Sequence, residues 1–254
     1  MKRLIVATTF AAALLAGSAT AAFAQVAPAA AVADATRPAT DTAKDADRHP
    51  AELIAFMGVK PGMKVMDVWT GSGYWARLFS KVVGPKGHVY AYVPEEITGF
   101  KNKPLDVAKA MAAEPGLGNV EAISDPIASQ PPAAFQNVLD VVWVFENYHD
   151  LYNPFMKGAD VAAYNKAVFA LLKPGGVYVI GDHAAPAGAG LTVTNTTHRI
   201  DAATVRSEVE KAGFKYVGET KVLANADDPK TGGVFDASIR GKTDRFVLKF
   251  VKPR

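Results

Sequence analysis

The feature that most constrains this chain is a short apolar run that breaks on glycine and resumes at helical spacing. Lys64-Val65-Met66-Asp67-Val68 follows Pro61-Gly62 and runs into Thr70-Gly71-Ser72-Gly73-Tyr74, after which Leu78, Phe79 and Val82 recur on one helical face over residues 75–83. Strand, glycine turn and helix in that order point to a parallel sheet, because a strand that feeds directly into a helix returns to the sheet alongside its predecessor. The rest of the chain repeats the alternation. Strands are expected over residues 88–93, 120–124, 138–145 and 177–180, with helices over 50–57, 105–113, 159–172 and 202–212. Residues 214–223 and 244–251 form two further strands with no helix between them, so they pair antiparallel. The expected fold class is α/β, a Rossmann-like doubly wound, mostly parallel seven-stranded sheet with an antiparallel C-terminal strand.

Residues 1–24 have the form of an export signal. Lys2-Arg3 precedes an apolar stretch, and Ala22-Phe23-Ala24 offers small residues before Gln25. The apolar run is too short to span a bilayer and is followed by Ser18 and Thr20, and charged residues interrupt every later apolar run. A periplasmic or secreted protein without a membrane span in the mature chain is expected. Residues 25–45, dominated by Ala, Pro, Thr and Asp, read as a flexible linker, and 46–254 as one domain. The chain has no cysteine, which excludes disulfides, thiolate zinc sites and cysteine nucleophiles together. Lys2 and Arg3 belong to the signal, so from Gln25 onward the net charge falls from +3 to +1. That near-balance argues against nucleic acid as a partner.

In a parallel sheet, ligands settle at the carboxyl ends of the strands, where a glycine turn lets them approach backbone amides. The run from Val65 to Tyr74, the Gly84-Pro85-Lys86-Gly87 turn, Val89-Tyr90-Ala91-Tyr92, and Leu172-Lys173-Pro174-Gly175-Gly176-Val177 together resemble the class I S-adenosylmethionine-dependent methyltransferases. Asn147-Tyr148-His149-Asp150, Thr197-His198-Arg199-Ile200-Asp201 and Thr243-Asp244-Arg245-Phe246 resemble an exported branch of predicted methyltransferases. The resemblance implies S-adenosylmethionine as cofactor, a small-molecule acceptor, and Asp67, Thr70, Gly71 and Gly73 around the amino acid end of the cofactor. It also implies an acid at the end of the second strand for the ribose. Val93 stands there instead, with Glu95 or Glu96 as substitutes from the next turn, and Asp125 matches the acid that faces the adenine amine. Trp69, Tyr74 and Trp75 surround the turn; an aromatic face suits the cofactor's sulfonium, whereas Trp75, at helical spacing, is expected in the core.

Three of the five histidines, His149, His183 and His198, fall where strands end, and each has an acid nearby in Asp150, Asp182 or Asp201. His149 or His183, oriented by Asp150 or Asp182, is the expected general base, since imidazole titrates near neutral pH. A metal bound by the three histidines with Glu146 or Asp182 lacks close His-x-x-x-His spacing, so no metal is expected. Other readings are a ligand-binding protein on the same fold, an exported hydrolase or metal enzyme built on the histidines, and a nicotinamide site at Gly71-x-Gly73-x-x-Ala76. Residues 225–242 are long enough to cover a cleft, and Arg240 and Arg245 are candidates for an anionic acceptor or for pairing with Asp236 and Asp244.

Overall fold

The computed structural model describes residues 27–254, so the expected export signal lies outside the described residues. Four helices, α1 (Pro28–Val32), α2 (Ala39–Thr42), α3 (Asp45–Arg48) and α4 (Pro50–Met57), precede β1 (Lys64–Val68). There follow α5 (Tyr74–Val83), β2 (His88–Tyr92), α6 (Pro104–Ala112), β3 (Val120–Ile123), β4 (Leu139–Phe145), α7 (Val161–Leu171) and β5 (Leu172–His183). The chain ends with α8 (Thr194–Thr197), α9 (Ala202–Lys211), β6 (Lys215–Thr220) and β7 (Arg245–Val251). The strands form one seven-stranded sheet in the order β3-β2-β1-β4-β5-β7-β6. β1 to β5 are parallel, and β7 runs antiparallel between β5 and β6, as the missing helix between the last two strands requires.

Helices cover both faces, so the central strands carry almost unbroken apolar runs. Val141, Trp143, Leu53, Ile54 and Phe79 pack on one side of the sheet, and Met66, Val68, Val142, Tyr178 and Phe250 on the other. α5 buries Leu78, Phe79, Val82 and Val83 against the sheet and turns Arg77 and Lys81 toward the amino-terminal helices. Side-chain caps start two later helices: Asp160 accepts the Ala163 N–H and Asp201 the Ala203 N–H. Among the described helices, none is long and apolar enough to cross a membrane.

The expected linker is a correction. Residues 28–48 form α1 to α3, with Ala31 buried, because their acids are counterions for α5 rather than a solvated tail. Asp41 pairs with Arg77 at 3.0 Å and Asp34 with Lys81 at 2.6 Å, while Asp45 takes Arg37 at 2.6 Å and the Tyr74 hydroxyl at 2.6 Å. Between β3 and β4 the chain crosses with only a 3₁₀ turn at Ala133–Phe135. The sheet face there stays partly uncovered, leaving a hollow of about 350 Å³ lined by Met66, Val68, Phe135, Tyr164 and Val168.

Candidate active site

The strand order reverses at β1 and β4, whose carboxyl ends therefore diverge into a crevice. A cleft of about 230 Å³ opens there, lined by Gly71 and Trp69 from the β1 turn, Val93 after β2, and Asn147 and Asp150 after β4. Ile97, Phe100, Pro104 and Phe155 complete its apolar side, where the Phe100 and Phe155 rings meet edge-on at 5.5 Å. Of the turn residues, Gly71 is the one that faces the cleft. Its φ is 58°, and a Cβ there would meet nothing nearer than the Trp69 carbonyl oxygen at 3.8 Å, so a side chain would project into open space. Trp69 is itself left-handed, with φ 59°, an uncommon backbone for a bulky residue.

Asp67, Thr70 and Gly73 build the turn instead of lining the cleft. The Thr70 hydroxyl donates to Asp67 at 2.8 Å, and Asp67 also accepts the Ala76 N–H, so this carboxyl ties β1 to the start of α5. Gly73 has φ 89°, and a Cβ there would sit 2.5 Å from Met111 Cγ, which shows that its role is close packing against α6. Burial pushes the Asp67 carboxyl up to about 7, against the opposing Thr70 and Ala76 hydrogen bonds. A carboxyl raised on folding gives stability that is whole below about pH 4, declines as pH rises, and is gone past about 7. Between pH 5 and 8, denaturant unfolding should therefore show wild type losing more stability than Asp67→Asn; parallel curves for the two proteins would refute the assignment.

Three acids named from the sequence do not line the glycine cleft. Glu95 is exposed in the turn after β2 and lies outside the cleft, while Glu96 spends its carboxylate on the Ile127 N–H. Asp125 borders the apolar hollow rather than the glycine cleft. Val93 is buried at the cleft wall, and Asn102, an exposed residue, lines the same cleft. Trp75 is core, stacked on Phe79 and edge-on to Trp143.

The histidines do gather. The His149 ring centroid is 5.3 Å from His198 and 6.0 Å from His183. Their partners are only partly the sequence neighbours: His149 Nε2 meets Asp150 at 3.3 Å, and the other contacts reach further. Asp182, fully buried, faces His149 Nδ1 at 2.8 Å and accepts the backbone N–H groups of His149 and His183 at 2.8 and 2.7 Å. His183 Nδ1 faces the Thr243 hydroxyl at 2.7 Å, and Asp201 caps α9 and holds the Gly188 N–H. Burial alone would lower the His149 pKa, but the Asp182 and Asp150 carboxylates outweigh it and raise it to about 10. Burial lowers that of His183. The Asp150 carboxyl, which burial would raise, is held below its usual range by His149 and Asn147.

Residues 225–242 lie against this cluster. Phe235 packs edge-on to His198 at 5.1 Å, and the Val234 N–H donates to the Thr197 carbonyl. The segment is anchored by Asp228, which receives both terminal nitrogens of Arg199 at 2.8 and 3.1 Å. Arg245 pairs with neither Asp244 nor an open surface: it donates to Glu146 at 2.8 Å and to the carbonyls of Asp47 and Gly241. Arg240 lies 5.9 Å from the Phe235 ring.

Residues 59–225 match the family model described as "Methyltransferase domain". The chain belongs to that family. Among curated relatives of this methyltransferase-family chain is a protein-L-isoaspartate O-methyltransferase of Ignicoccus hospitalis, 30% identical over 131 residues, covering 51% of this chain and 52% of that protein. Another is the ubiquinone/menaquinone biosynthesis C-methyltransferase UbiE of Vibrio vulnificus, 27% identical over 131 residues, covering 51% and 44%. The chain thus spans about half the length of the curated relatives it matches. A solved SAM-dependent methyltransferase from Aquifex aeolicus superposes with a TM-score of 0.60 at 21% identity, over 84% of this chain and 95% of that one, a likeness of fold. The cofactor of such enzymes is S-adenosylmethionine, and the residues present fit it. The missing Cβ of Gly71 leaves room at the amino acid end, and Val93, Ile97 and Phe100 offer an apolar wall for adenosine.

Proposed function

We propose that this chain is an S-adenosylmethionine-dependent methyltransferase acting on a small-molecule acceptor. The observation that carries the reading is Gly71, open toward a cleft at the switch point of a methyltransferase-family sheet, with Asn147 and Asp150 on the opposite wall. When bound, the cofactor supplies a methyl group on a positively charged sulfur. The β1 turn holds its amino acid end, and the Asn102 amide takes over the ribose contact that Val93 cannot make. Asn147 and Asp150 stand between the cleft and the histidines, so the acceptor is held on that side. In-line methyl transfer gains mostly from such placement, worth about 7–11 kcal/mol, more than a general base supplies.

Val93 favours a second reading, a ligand-binding protein that keeps the fold without turnover. The export signal expected in residues 1–24 supports a periplasmic or secreted site of action for either reading. The test is calorimetry with S-adenosylmethionine and with its demethylated product on the mature form, whose start at Gln25 is verified by mass. Binding of both compounds is expected. No heat with either compound would overturn the methyltransferase reading.

A further inference from the structure

Three side chains converge where the ends of β4 and β5 meet α8. His149 Nε2 stands 3.2 Å from His198 Nδ1 and 3.3 Å from Asp150 Oδ1, and His198 Nδ1 lies 3.5 Å from the same oxygen. Three such atoms this close share one positive charge, which the His149 Nε2 proton supplies without an ion and which a bound cation supplies once it displaces that proton. The sides of the triangle identify what fits. Four-coordinate zinc with bonds of about 2.0–2.1 Å holds its donors about 3.3–3.4 Å apart, whereas a six-coordinate ion at that bond length holds them about 2.9 Å apart. Two imidazoles and one carboxylate also form a donor set that such an ion accepts.

The surroundings are built for the same task. Asp182 accepts from His149 Nδ1–H, which fixes the ring and points Nε2 at the other two donors, where a metal ion would take the place of its proton. Asn147 and Asn153 donate to the two Asp150 oxygens at 2.8 and 2.5 Å and hold the carboxylate in place. His198 has φ 55°, a left-handed backbone at the end of α8 that swings its ring into the cluster. Its side chain is 29% exposed, which gives an ion a way in, whereas His149 is only 2% exposed.

We propose that His149, Asp150 and His198 bind one zinc ion, with Asp182 as the residue that positions His149. The fourth coordination position is left to water or to an acceptor heteroatom, since Asp150 also lines the glycine cleft. His183, turned to Thr243, is not a ligand. The site stands apart from the methyl-transfer reading, because metal binding is measured without the cofactor and neither result decides the other.

The test uses the full mature chain, produced without a histidine tag, stripped with a chelator, and titrated with zinc chloride by calorimetry. Cobalt(II) replaces zinc in a parallel sample for its visible spectrum. One equivalent of zinc and the intense bands of tetrahedral cobalt are expected. Asp182→Asn should weaken zinc about 10- to 100-fold, and His198→Asn, which keeps a residue tolerant of left-handed backbone, by about 100-fold or more. Circular dichroism confirms that each variant is folded, and the wild-type titration stands without them. No zinc uptake by wild type, a six-coordinate cobalt spectrum, or undiminished zinc affinity in His198→Asn each overturns the proposal.

Discussion

Gly71→Val should abolish binding of S-adenosylmethionine and of its demethylated product. The Cβ at residue 71 would have no neighbour closer than the Trp69 carbonyl oxygen at 3.8 Å, so the added isopropyl group projects into the open space at the cleft that Gly71 lines. In a cleft of about 230 Å³, already small beside the roughly 300 Å³ at which ligand pockets commonly begin, three more carbons remove the room that the amino acid end needs. A loss of about 100-fold or more in affinity, about 2.7 kcal/mol, is the expected calorimetric result. A side chain at φ 58° also strains the backbone by about 1–2 kcal/mol, so the melting temperature falls as well. Gly116→Val separates the two effects. Gly116 has φ 88°, nothing within 4 Å, and a place in the turn before β3 at the opposite edge of the sheet. That variant should melt lower yet bind normally; equal binding losses in both would mean that the cleft is not the cofactor site.

Asp228→Ala should produce the largest loss of stability among single changes in the segment over the histidines. Arg199 is completely buried, and Asp228 is its only carboxylate partner among the described residues, with the carbonyls of Ala184 and Gly232 taking one N–H group each. Removing Asp228 leaves that guanidinium charge buried without a counterion, which costs about 3–5 kcal/mol. In a domain of this size the melting temperature should fall by on the order of 10 °C. Burial pushes the Asp228 carboxyl up, but Arg199 and two backbone N–H groups more than compensate and hold it below its usual range. Its contribution is therefore present above about pH 4 and lost as pH falls further through the lowered folded-state value. Denaturant unfolding at pH 7 of Asp228→Ala and of Asp228→Ala with Arg199→Met checks the cause. The double variant should recover much of the loss, and failure to recover would place the cost elsewhere.

The sheet was legible because its signals are local. Pro50 and Gly58 bracket α4, and Pro61-Gly62 and the glycine turn bracket β1, so both elements fall at the residues expected of them. The gathering of His149, His183 and His198 was legible for a related reason, since strand ends in a parallel sheet share one edge. Their partners were legible only in part, since Asp150 and Asp182 were both expected and both meet His149, but not which acid served which ring. Asp182 and His183 are adjacent in β5, and successive strand residues turn to opposite sides, so Asp182 reaches across to His149 on the β4 loop while His183 turns to Thr243. The pairing of Arg199 with Asp228 spans 29 residues, and no spacing rule links them. Residues 25–45 looked like a linker because apolar periodicity is the usual sign of packing, whereas Asp34 and Asp41 there are matched in space by Lys81 and Arg77. The turn after β2 misled in the same way, since an acid in a plausible position, Glu95, projects to solvent.

Arg245 sits on β7, the last strand among the described residues, yet its guanidinium grips the carbonyl of Asp47 and the carboxylate of Glu146, 198 and 99 residues earlier. A nascent chain that has finished β4 still holds Glu146 without this counterion. That clasp therefore forms only once β7 has docked beside β5, a contact of high sequence separation that comes late in folding.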